Sequence, residues 1–147
     1  MTEAALHLVK LCVGADGPGD LIAWHKARAA RHGPRWTPRH TTRAKPKRAA
    51  EVLAGGSLYW VFRGEIRARQ RLLAVEPVTG ADGVIRHDLV LEPKLVLTVA
   101  QARRPFQGWR YLAAADAPAD LKRRAAEGGE AELPEDLERA LNMLGVS

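Results

Sequence analysis

Cys12 is the single cysteine in the 147-residue chain. An internal disulfide framework and a cysteine-built zinc site are therefore excluded, and a reducing compartment is the expected home. No stretch approaches the roughly 20 apolar residues that a membrane helix needs. The opening MTEAALHLVKLCVG does not read as a signal peptide, because Glu3 precedes a short apolar run that His7 and Lys10 interrupt. The expectation is a soluble, cytoplasmic protein. Also missing are a glycine-rich phosphate loop, a serine elbow and an HExxH pair. The histidines at 7, 25, 32, 40 and 87 are scattered, so neither a metal nor a cofactor is expected.

The scarcest feature in the middle of the chain is negative charge. No acid lies between Asp20 and Glu51, whereas the run from His25 to Arg48 holds nine Lys or Arg and three histidines. Such a block repels itself unless an anion lies against it, and phosphate contacts are a common use. A solvated basic loop and an acidic protein partner remain open as alternatives. The formal net charge of +6 and pI of about 10.0 also favour polyanions. The charge is unevenly spread, with 19 Lys and Arg against 9 acids in residues 1–115 and 4 against 8 in residues 116–147.

At 46% hydrophobic residues the chain can fill one core, and one domain and a monomer are expected. ALHLVKLCV reads as a buried first strand. Asp20 is placed to cap a helix over 21–32 whose apolar face carries Leu21, Trp24 and Ala27. Residues 33–44 read as a long basic loop. KRAAEVLA reads as a short helix ended by Gly55-Gly56. A hairpin follows near 57–63 and 65–76 with its turn at Arg63-Gly64, then strands near 84–91 and 94–99. RRPFQGWRYL is less regular and ends in a short strand. Helices are expected from Asp116 to about Ala126 and again after Pro134. The fold class is thus α+β with a small, mostly antiparallel barrel over 1–115 and flanking C-terminal helices over 116–147 on the same domain.

Three features carry the functional reading. The basic loop supplies Arg39, Arg43, Lys45, Lys47 and Arg48 for phosphate contacts. In the hairpin, a two-residue turn pairs Trp60 with Arg67 and Leu58 with Arg69, so that Leu58, Trp60, Phe62, Arg67, Arg69 and Arg71 share one face. Rings mixed with guanidinium groups can hold unpaired bases, although arginine stems cover rings on ordinary sheet surfaces too. In RRPFQGWRYL, Arg103, Arg104 and Arg110 interleave with Phe106, Trp109 and Tyr111, either as a second stacking platform or as a plug for the end of the sheet. A catalytic alternative rests on Thr42, Lys45 and Glu51, where a desolvated lysine could activate a hydroxyl.

The blocks ALHLVKLCVG, PKRAAEVLAGGSLYWVFRGEIRARQRLL, LVLEP and RRPFQGWRYL resemble an uncharacterised, mainly alphaproteobacterial domain-of-unknown-function family. The order of strand, basic linker, glycine-ended helix and hairpin is also similar to the PUA-like superfamily, especially its EVE and ASCH branches. That second resemblance implies a cleft binding RNA or a modified base, lined by Leu8 or Lys10, Arg43 to Lys47, and Trp60. It also implies, for the Thr42, Lys45 and Glu51 neighbourhood, the hydrolysis of a modified nucleoside. The expected function is RNA binding. Residues 127–138, rich in acids, read first as a helix with ordinary surface charge; the alternative is a regulatory protein-interaction module that folds back on the basic body.

Overall fold

The computed structural model describes residues 6–33 and 35–121. Its elements in chain order are β1 (Leu6–Leu11), α1 (Pro18–His32), β2 (Arg39–Thr42), α2 (Ala49–Leu53), β3 (Ser57–Phe62), β4 (Glu65–Thr79), β5 (Ile85–Leu91), β6 (Val96–Ala102), β7 (Trp109–Ala113) and a 3-10 turn at Ala114–Asp116. The α+β class holds. No described helix is long and apolar enough to cross a membrane.

The seven strands form one sheet in the order β2-β5-β4-β3-β1-β7, with β6 also paired to β4. Only β1 and β3 run parallel; every other ladder is antiparallel. The 15-residue β4 joins two halves: its start lies between β3 and β6, and its end pairs with β5. The expected closed barrel is corrected to an open sheet, since among the described residues no ladder joins the two ends of the path, β2 and β7.

Local chemistry explains most element boundaries. The hairpin turns where Arg63 (φ 47°) and Gly64 (φ 83°) both take left-handed backbone, the conformation a tight two-residue turn requires. Helix α2 stops before Gly55 (φ 105°). Gly56 is packed so closely that a Cβ there would meet the carbonyl oxygens of Leu6 and Val52. Helix α1 starts earlier than expected, at Pro18 after Gly17, and Asp20 accepts from the Asp16 amide instead of capping from outside.

The buried face of α1 also differs. Leu21, Ile22 and His25 point inward, while Trp24 is exposed. The supposed loop 33–44 contains β2, paired to β5 from Arg39↔Val90 to Thr42↔His87. The helix expected from Asp116 does not start there: Ala114–Asp116 is a 3-10 turn and Asp120 forms a bridge with Thr98. The remainder of that helix, the second C-terminal helix and the acidic residues 127–138 lie outside the described residues.

Apolar side chains pack on both sides of the sheet. The larger cluster includes Leu8, Leu21, Leu58, Trp60, Phe62, Leu72 and Leu91. The smaller is built from Val9, Tyr59, Val61, Ile66 and Leu112.

Candidate functional site

The hairpin corrects the expected binding stripe. Phe62 faces Glu65 and Val61 faces Ile66, but Trp60 then faces Ala68, so Arg67 is an extra residue on β4. A one-residue bulge exchanges the two faces of every position beyond it. Tyr59 therefore opposes Arg69, and Leu58 opposes Gln70. Trp60 is 2% exposed and belongs to the larger core cluster, so it cannot stack on a base. Arg69 is committed to Asp120 through two hydrogen bonds of 2.8 and 2.7 Å, and it also donates to Ser57 Oγ. Arg71 faces Ser57 and is exposed. The three arginines do not form one working surface with Trp60.

Beneath the hairpin lies a polar chain that the sequence did not reveal. Trp60 Nε1 donates to Gln70 Oε1 at 3.0 Å, and because an indole nitrogen can only donate, the amide orientation is fixed. Gln70 Nε2 then donates to the Glu92 carbonyl at 2.9 Å and faces His25 Nδ1 at 3.4 Å. His25 Nδ1 must accept, so His25 carries its proton on Nε2 and donates to His40 Nε2 at 3.2 Å. His40 in turn lies edge-on to Trp60. Burial, with Arg28 nearby, pushes His25 down to about 4. Burial, followed by the charges of His25, Lys10 and Arg28, pushes His40 down to about 3. Both rings are neutral at pH 7, and the chain is structural.

The open concavity lies elsewhere, between the ends of the sheet path. Lys10 of β1, Thr41 to Ala44 at the end of β2, and Gln107 to Tyr111 around β7 line a groove of about 560 Å³. Two hydrogen bonds tie its walls: Trp109 Nε1 donates to the Ala44 carbonyl at 2.9 Å, and the Arg48 amide donates to the Tyr111 hydroxyl at 2.9 Å. Trp109 and Tyr111 meet edge to face at 4.8 Å, and the Arg48 guanidinium stands over the Tyr111 ring. No carboxylate among the described residues lines this groove. Arg43 and Arg110 form no ion pair among the described residues.

Of the expected binding residues, the structure gathers Arg43, Trp109 and Arg110 here and sets Arg48 beside them. Arg104 lines a second concavity that shares Arg110. Lys45 and Lys47 are exposed on the segment leading to α2. Arg39 is drawn away to Glu76 at 2.6 Å and Asp88 at 3.8 Å on the neighbouring strands. Arg67 occupies the bulge, with its guanidinium near Gly17.

The catalytic alternative is dispersed. Thr42 reaches the groove, but both carboxylate oxygens of Glu51 are taken by Arg48 at 2.6 and 2.8 Å. Among the described residues, no hydrogen bond joins Lys45 to Thr42 or Glu51. No cluster of three or more metal-ligating side chains occurs among those residues either.

A family model described as a protein of unknown function, DUF1489, matches residues 8–147, and the chain belongs to that family. No curated protein and no solved structure matches the chain.

Proposed function

We propose that this DUF1489 member binds RNA in the groove between the ends of β2 and β7. One observation carries the reading: Lys10, Arg43 and Arg110 line one groove with the half-buried Trp109–Tyr111 pair, and no carboxylate among the described residues lies on that lining. A positively charged groove with an aromatic platform is how proteins hold unpaired bases while tracking the backbone. Arg43 and Arg110 take phosphates, Trp109 offers its ring, and Lys45 and Lys47 extend the positive field along the loop, while Arg48 is paired with Glu51. In this reading the groove corresponds to the cleft beside the first strand of a PUA-like domain.

The test is a fluorescence titration with single-stranded and with structured RNA at two salt concentrations. Affinity is expected to fall steeply as salt rises, because each neutralised phosphate releases counterions. Absence of binding at low salt would refute the proposal.

A further inference from the structure

Beside the groove, the connection from β6 to β7 makes a second concavity of about 400 Å³, lined by Ala102, Arg103, Arg104, Pro105, Phe106 and Arg110. Its basic side chains are held in place. The guanidinium carbons of Arg103 and Arg110 stand 5.6 and 5.5 Å from the Phe106 ring centroid. Arg110 Nη1 donates to the carbonyls of Gln107 at 2.8 Å and Trp109 at 3.0 Å. Its Nε and Nη2 take no partner from the described residues. The Arg103 amide donates to the Gly64 carbonyl at 2.8 Å, which ties the segment to the hairpin turn.

Two like charges thus meet over one ring, a third, Arg104, shares the lining, and none of the three forms an ion pair among the described residues. Convergent cations are mutually repulsive unless an anion lies between them. Guanidinium groups offer a phosphate paired donors in a rigid fork. Contact with the Phe106 ring holds two of the three groups beside the concavity.

We propose that this concavity is a phosphate-binding subsite that continues the groove through the shared Arg110. It takes the backbone phosphate of the nucleotide next to the one held at Trp109, so the ligand is a single strand of at least two nucleotides. The single-stranded class follows from the pairing of a ring on the groove wall with phosphate forks, since a duplex keeps its base faces stacked inside. The subsite rests on the RNA reading for the identity of its occupant, though not for its affinity for phosphate.

The test compares the wild-type chain with the double variant Arg103→Gln/Arg104→Gln, using calorimetry at 50 and 200 mM salt. The probes are a single-stranded RNA tetranucleotide, a duplex of the same sequence, and sodium tripolyphosphate. Both altered side chains lie on a surface segment, and a thermal melt checks that the variant folds. The wild type is expected to bind the tetranucleotide more tightly than the duplex. The variant is expected to bind the tetranucleotide about 10-fold more weakly, with a salt slope smaller by about 0.7, as the loss of one neutralised phosphate on a single strand implies. Tripolyphosphate is expected to bind the wild type and not the variant.

Equal tetranucleotide affinity and slope in the two proteins overturns the subsite and leaves the groove reading standing. Arginine-dependent binding of tripolyphosphate without any RNA binding supports the phosphate site and removes the RNA reading. No binding of any probe by the wild type overturns both.

Discussion

Two clusters in this protein are built from the same vocabulary of rings and nitrogen atoms. One is the chain Trp60, Gln70, His25 and His40 under the hairpin. The other is the groove of Lys10, Arg43, Trp109 and Arg110. In the first, successive hydrogen bonds fix which nitrogen donates to which, and burial keeps both imidazoles neutral. In the second, the cations stand at an open wall that no described carboxylate lines. The difference teaches that residue type does not mark a site here; a place on an open wall does. Trp60 looked like the recognition ring from its neighbours in sequence, but its indole N–H is already used inside the core. Trp109 has also used its N–H, on the Ala44 carbonyl, yet its ring lines an open groove.

The comparison breaks first at the buried chain. Trp60→Ala is expected to cost about 3–5 kcal/mol of stability, as for other large-to-small changes at buried aromatics. Trp60→Phe keeps most of the packing but strands Gln70 Oε1, and is expected to cost about 1–3 kcal/mol. Urea denaturation of both variants measures this, and a cost near zero for Trp60→Phe would show that the chain does not order the core.

The second break is by acid. His25 and His40 have folded values of about 4 and about 3, below the ordinary 6.5. Between these values the unfolded chain binds protons that the folded chain refuses. Stability is therefore fully present above about pH 6.5 and falls as pH drops toward 4 and 3. The expected loss is on the order of a few kcal/mol for the pair, because one protonated ring opposes protonation of the other. Urea midpoints at pH 7 and pH 4.5 measure it, and the double variant His25→Asn/His40→Asn should flatten the difference.

The groove responds in binding instead. Trp109→Ala is expected to lose about 1–3 kcal/mol of RNA affinity, the usual worth of one stacked base, in the same fluorescence titration. A loss of stability without a loss of affinity would assign Trp109 to the seam alone.

Asp120→Asn tests the sorting of the arginines, because the Arg69–Asp120 pair is about a quarter to a third exposed. About 1–2 kcal/mol of stability is expected to go, with RNA affinity unchanged. The smallest effect is expected from Arg43→Ala, which should lower the salt slope by about 0.7.

How much of this was legible in the sequence depended on how local the cause is. The Arg63-Gly64 turn, the stop at Gly55 and the strand character of Leu6–Leu11 follow from neighbouring residues, and all three appear in the structure. Arg43, Trp109 and Arg110 were legible as basic and aromatic residues, though not their meeting across the two ends of the sheet. The bulge at Arg67 was not legible, because a one-residue slip leaves the composition of the strand intact while exchanging its faces. Strand β2 escaped notice because its partner β5 lies more than 40 residues further along the chain. His25 escaped notice because its reason to face inward is Gln70, a residue 45 positions away. Hydrophobicity alone favours Trp24 for that inward place, but the hydrogen-bond partners of His25 hold His25 there instead.

The pairing of β1 has a consequence for how the chain is made. Its partners are β3, through Leu8↔Leu58, and β7, through Leu6↔Ala113. At synthesis rates of about 5–20 residues per second, roughly 5–20 s separate the emergence of β1 from that of β7. Throughout that interval the first strand carries an open edge, a ready template for wrong partners. The groove's far wall is thus among the last parts of the described fold to form. Growing chains stalled before residue 109 should carry a hairpin and both helices but no completed groove.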